Sequence, residues 1–287
     1  MSSSRSANTP RQPNSAAMPT QDKSPQSFGR PFVLHEANLP QARELRPNVA
    51  VLPWGATEAH NYHLPHGTDV IEAAALGEAA VERANRTGAR CILLPCIPFG
   101  NNNAQLTQVA TITMRTATQQ AVLQDVADSL VRQKIDRLVI LNFHGGNEFK
   151  TLIRDVMLAS PIFIVQVHGY SLSPAAMKLL KDPTGDHAGE LETSLLLHLA
   201  PQWVAPLHTA GPGAVTPSKL PAVTGTPGVW APRDWAALTP DTGVGNPRAA
   251  TAEKGRQIFE MLTAALTPVL IQLSAANNGD FPFVIRP

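Results

Sequence analysis

Three side chains of cation-binding type stand close together in this chain of 287 residues: Glu58, His60 and Asp69, within Trp54-Gly55-Ala56-Thr57-Glu58-Ala59-His60-Asn61-Tyr62-His63-Leu64-Pro65-His66-Gly67-Thr68-Asp69. Imidazole mixed with carboxylate suits Zn²⁺, Mn²⁺ or Fe²⁺ better than the all-oxygen set that Ca²⁺ takes. The plain alternative is a polar surface loop with incidental histidines. Three of the chain's nine histidines (His60, His63 and His66) fall within seven residues, which argues against chance.

A second candidate ligand is His144, in Asn142-Phe143-His144-Gly145-Gly146-Asn147. Glycines there permit a tight turn and close approach of a ligand. Taken alone, this segment reads equally well as an ordinary strand-to-helix turn. The third segment is Asp186-His187-Ala188-Gly189-Glu190-Leu191-Glu192-Thr193-Ser194-Leu195-Leu196-Leu197. Asp186 resembles a helix N-cap, and acidic residues suit a helix N-terminus. That explains Glu190 without any function. At roughly 100° per residue, Glu192 falls on the apolar stripe with Ala188, Leu195, Leu196 and Leu199, and Glu190 nearly opposite. An isolated buried charge costs several kcal/mol, so an inward carboxylate must be paired or metal-bound. Glu192 is therefore expected to be a ligand and Glu190 not.

Each segment follows an element able to position it. Short apolar runs at 49–52, 91–94, 137–141 and 162–165 read as strands. Helical patterns cover 72–85, 116–134 and 147–159, with a further helix over 248–273. Such alternation predicts an α/β fold, a three-layer α/β/α sandwich around a mostly parallel sheet. Loops after the carboxyl ends of such strands form the binding crevice. The Pro- and Gly-rich stretch 201–247 reads as a lid or an interface arm. Residues 1–29 are poor in large apolar side chains and read as a disordered tail before one domain over 30–287.

Composition excludes several classes. With 43% hydrophobic and 16% charged residues the chain is globular. A net charge of +1 gives no sign of nucleic-acid binding. No apolar run reaches the ~18 residues of a membrane span, and no secretory h-region is seen at the N-terminus. Cys91 and Cys96 lie at an odd offset in one run, so they are not expected to pair. A reduced, cytoplasmic setting is the simplest reading.

The three segments together resemble the creatininase (creatinine amidohydrolase) family. Its pattern of a Gly-(Ser/Ala)-Thr-Glu-x-His loop, Leu-Pro, Thr-Asp, a His-bearing turn and His-Ala-Gly-x-x-Glu-Thr-Ser is matched at Gly55 to Asp69, Asn142 to Asn147 and His187 to Ser194. The stretch from Gly245 to Gly255 is also similar to the start of the family's C-terminal helix. The resemblance implies two divalent metal ions: Glu58 and His144 on one, His60 on the other, Asp69 bridging. Creatininase itself has a Glu two residues after the turn His. Gly146 stands there in this chain, and Glu192 would supply the carboxylate. His187 matches a family histidine near substrate, able to shuttle protons. Ala59 and Asn61-Tyr62 depart from the family's usual Gln and Gly-Pro, which argues against creatinine itself as substrate. The implied activity is hydrolysis of an amide C–N bond, of cyclic amide or formamide type, in a small polar molecule by a metal-activated water. Ring opening of a cyclic ketone or ester of inosose type is the alternative, and a non-catalytic binding protein of the same fold a further one. A homo-oligomer, a hexamer built from dimers, is implied by the resemblance alone.

Overall fold

The computed structural model describes residues 29–281. The expected disordered tail, residues 1–29, therefore lies outside the described residues except for Gly29. In chain order the elements are α1 (Leu39–Leu45), β1 (Val49–Trp54), α2 (Thr68–Asn85), β2 (Cys91–Leu93), α3 (Thr116–Arg132), β3 (Arg137–Asn142), α4 (Lys150–Ala159), β4 (Phe163–His168), α5 (Pro174–Met177), α6 (Glu190–Leu199), α7 (Pro221–Gly225), α8 (Trp235–Leu238) and α9 (Ala252–Ala275). Single turns of 3₁₀ helix join several of them.

The four strands form a parallel sheet in the order β2-β1-β3-β4. Its inner strands β1 and β3 are buried along their whole length, as the unbroken apolar runs require of a sheet covered on both faces. Val49, Val51, Val139 and Leu141 point into one core with Ala73, Leu76 and Ala80 of α2, Leu195 and Leu196 of α6, and Ile258, Leu262 and Leu266 of α9. Ala50, Leu52, Leu138 and Ile140 point into a second core with Leu123 and Ala127 of α3 and Leu152 and Val156 of α4. This is the expected three-layer α/β/α arrangement. The strand order reverses direction between β1 and β3, so the loops leaving their carboxyl ends part there and open a crevice. Trp54 and Asn142 pair across those two ends.

The elements are those expected, with informative shifts at their ends. Helix α2 begins at Thr68, four residues before the expected start. Thr68 donates its hydroxyl to the Pro65 carbonyl, and Asp69 sits in the first turn, where the helix dipole favours a carboxylate. Helix α4 begins at Lys150 rather than 147, because Asn147 is occupied in tying the preceding turn. Asp186 is not the cap of α6: Gly189 is the N-cap residue, without a side-chain hydrogen bond.

Helix α9 is long and apolar enough to cross a membrane by length and composition, which the search for apolar runs missed. Its Ile258, Leu262, Leu266 and Leu270 are fully buried within the fold. Cys91 and Cys96 are both free thiols, as the spacing predicted. The 201–247 stretch is neither strand nor long helix. It folds back on the β1–α2 loop, where Thr242 Oγ1 accepts from the Asn61 backbone (2.8 Å) and Asn61 Oδ1 accepts from the Gly211 backbone (2.9 Å).

Candidate metal centre

The loop after β1 places Glu58 and His60, and the first turn of α2 places Asp69. Gly55 lets loop and helix meet: a Cβ there would lie 2.6 Å from the Val70 nitrogen. The turn after β3 places His144, pinned by asparagines. Asn142 Nδ2 donates to the His144 carbonyl (2.7 Å), and Asn147 Nδ2 donates to Asn142 Oδ1 (2.9 Å). The segment entering α6 brings His187 and Glu192. All six expected site residues converge, and five are nearly inaccessible to solvent: Glu58, His60, Asp69, His144 and His187. Glu192 is half-buried.

Three overlapping donor groups result, Glu58–Asp69–His144, His60–Asp69–Glu192 and Glu58–His60–His187, each with ligand atoms within 4.8 Å of one another. Asp69 belongs to the first two. Its Oδ1 lies 2.9 Å from His60 Nε2. Its Oδ2 lies 3.2 Å from His144 Nδ1 but makes no aligned hydrogen bond. His144 Nδ1 is also 2.8 Å from Glu58 Oε1.

The donor chemistry fits divalent cations. His60 Nδ1 donates to the Glu58 carbonyl (3.0 Å) and His144 Nε2 to the Asn101 carbonyl (3.0 Å). Each imidazole thus has one nitrogen held by backbone and its other nitrogen facing carboxylates, the orientation of metal-ligating histidines. Burial alone would lower the pKa of His60, but Asp69, Glu192 and Glu58 raise it to about 10. Glu58 and Asp69 likewise raise His144 well above its usual value against the cost of burial. For Asp69, burial pulls upward, yet His60 and His144 hold it well below the ordinary carboxylate range. The buried carboxylates and imidazoles together favour positive charge between them.

Glu192 and Glu190 occupy different worlds, though not quite as helix phase predicted. Glu192 Oε2 accepts from the Ala188 backbone. Burial pushes its pKa up to about 7, partly offset by His60. Glu190 is not on a solvated face; it is buried. It pairs with Lys254 of α9 and accepts from the backbone nitrogens of Lys181 (2.7 Å) and Asp182 (2.8 Å). The phase argument failed for Glu190 because α9 covers that side of α6, leaving no solvent-facing side there.

His187 borders the cleft. Its Nε2 donates to the Ala59 carbonyl (2.8 Å), and its Nδ1 is 3.9 Å from Glu58 Oε1. The ring lies against His60, tilted by 34° with 4.1 Å between centroids, and Trp235 meets it edge-on at 5.4 Å. Burial and then the neighbouring His60 lower its pKa.

A cleft of about 690 Å³ opens onto Glu58, His144 and His187. Its rim carries Asn103, Glu148, Asp186, Trp230 and Arg233. Arg233 pairs with Asp186 and lies 4.2 Å over the Trp235 ring. Sequence reasoning missed Gln105, whose amide donates to Glu58 Oε2 (2.7 Å) and borders His187. The polar run Asn101-Asn102-Asn103 after β2 was a signal left unread. It also missed Glu72, buried one turn beyond Asp69, and the part of Trp235 over His187.

Comparison with known proteins agrees with this geometry. The profile of the creatininase family, described as creatinine amidohydrolase, matches residues 35–270. A mycofactocin precursor peptide peptidase of Mycobacterium ulcerans is 32% identical over 217 residues, 73% of this chain and 79% of that protein. The chain belongs to the creatininase family. A crystal structure from Bacteroides fragilis, described as a candidate creatinine amidohydrolase, is 36% identical with a TM-score of 0.81 and covers 88% of this chain and 99% of its own. The fold is also that of a crystal structure of creatininase, 24% identical, TM-score 0.67, covering 86% of this chain and 99% of that one. Creatininase structures of this fold are described as Zn-Zn type and as Mn. This member of the family is accordingly a hydrolase with a candidate metal-binding cluster.

Proposed function

We propose that this creatininase-family chain is a dinuclear-metal hydrolase cleaving an amide C–N bond in a small polar or peptide-like molecule. One observation carries the reading: the two oxygens of Asp69 face two different histidines, each within its own donor group. Glu58, His144 and Asp69 would hold one cation, and His60, Glu192 and Asp69 the other. Two divalent ions there would supply Lewis acidity, polarising a carbonyl and lowering the pKa of water.

The chain's own residues account for orientation and proton movement. His187 Nε2 is committed to the Ala59 carbonyl, so Nδ1 is the nitrogen free to take a proton and deliver it to the leaving nitrogen. Gln105 fixes one oxygen of Glu58 and so the direction of the other. Trp235 covers the outer edge of His187 and keeps bulk water from it. The polar rim suits a substrate with several hydrogen-bonding groups, and the cleft volume accommodates a small molecule or the end of a peptide. The name of the mycobacterial relative makes peptide bonds the first chemistry to try after cyclic amides and formamides.

The experiment is a screen of cyclic amides, formamides, short peptides and inososes, with Mn²⁺, Zn²⁺ and Fe²⁺ supplied separately. Release of an amine or free amino terminus in a metal-dependent way is expected. Turnover confined to inososes would replace the reading with ring opening, and absence of any metal dependence would remove it. The same reading carries a homo-oligomer, which light scattering would test.

A further inference from the structure

Glu72 is a buried acid next to Asp69 and Glu192 that the site as described does not use. It lies on α2 three residues after Asp69, on the same side of the helix. The residue is 1% exposed. Neither of its carboxylate oxygens has a hydrogen-bond partner. Buried carboxylates in folded proteins are paired, hydrogen-bonded or bound to a cation. Its nearest charged neighbours, Glu192 and Asp69, are themselves acids and repel it.

Among the described residues no Lys or Arg forms an ion pair with Glu58, Asp69, Glu72 or Glu192. Four carboxylates thus share one buried region, and their charge equals that of two divalent cations. The turn after β3 cannot contribute a fifth. At Gly146 a Cβ would lie 2.3 Å from the Asn101 carbonyl oxygen and 2.4 Å from His144 Nε2, so no side chain fits there. Glu72 neighbours Asp69 and Glu192 of the His60–Asp69–Glu192 group and does not line the cleft that opens onto Glu58 and His144.

We infer that Glu72 is a further carboxylate donor to the cation site of His60, Asp69 and Glu192, closing that site from the α2 side. The inference rests on the two-metal reading given above.

The test uses the full-length protein, stripped with a chelator and titrated with Mn²⁺ or Zn²⁺ by calorimetry, with the melting temperature of the stripped and loaded forms as a second readout. Glu72→Gln keeps the shape and removes the charge. It is expected to weaken one of the two binding steps by ~10-fold or more and to leave the other unchanged. The stripped variant should melt higher than stripped wild type, because the repulsion among Glu72, Asp69 and Glu192 is relieved, and the gain in melting temperature on loading should shrink. Glu72→Asp, which retracts the same group by one methylene, should fall between the two and serves if the Gln variant does not fold. Two unchanged binding steps in a folded variant would overturn the inference while leaving the two-metal site standing. A wild type that binds no metal at all would overturn both.

Discussion

Oδ1 of Asp69 lies 2.9 Å from Nε2 of His60, and the other oxygen of the same carboxylate is turned toward His144 without an aligned hydrogen bond. A side chain so placed serves two sites at once. Asp69→Ala should therefore lose both metal ions while the fold survives. Elemental analysis after dialysis, with circular dichroism as the control, checks this. A folded variant that retains two tightly held ions would remove Asp69 from the bridge.

The two acids of α6 should separate cleanly. Glu192→Gln should lower metal affinity strongly, since it keeps the shape of the side chain but not its charge. Glu190→Gln should keep its metal and instead lose ~3 kcal/mol of stability, because it strands the Lys254 ammonium against a buried partner. Metal content and urea midpoints of both variants decide it; the reverse assignment of the two effects would contradict the geometry.

How much of this was legible beforehand follows from the kind of signal each residue gives. Glu58, His60, Asp69 and His144 stand next to strand ends in sequence, so β–α alternation alone carries them to the crevice between β1 and β3. Glu192 was singled out by helix phase, and the fold brings it into one donor group with His60 and Asp69. Glu190 was misread because one-dimensional periodicity cannot see that α9 covers the other side of α6. Asp186 was misread as a cap because its role belongs to Gly189. Glu72 and Trp235 gave no local pattern, and Gln105 only the polar run Asn101-Asn102-Asn103 ahead of it. Their meaning comes from contacts across the fold, such as Gln105 reaching Glu58 from the segment after β2.

His187→Asn should reduce kcat by ~10²–10⁴-fold, the range for loss of a general acid–base group, and leave metal content intact. The expectation follows from its free Nδ1 and its Nε2 bond to the Ala59 carbonyl. Single-turnover kinetics on metal-loaded protein measures it. Loss of a metal ion in parallel would make His187 a ligand rather than a proton carrier.

Acid should weaken the fold in part through His63. Its side chain is buried against Thr193 (2.8 Å), and burial, then the nearby His60, lower its pKa from 6.5 to about 4. Between those values the unfolded chain binds a proton that the native state refuses. Stability from this residue is thus full above pH 6.5, falls as pH drops and is lost below about 4. The loss is up to ~3 kcal/mol. His63→Gln should flatten the fall in denaturant midpoint over that window relative to wild type, and an unchanged slope would contradict it.

The central claim is that two cations flank Asp69. Anomalous diffraction from crystals grown with Mn²⁺ tests it most directly. Two peaks are predicted, one among Glu58, Asp69 and His144 and the other among His60, Asp69 and Glu192. One peak or none, with Asp69 hydrogen-bonded directly to both histidines, would contradict the account.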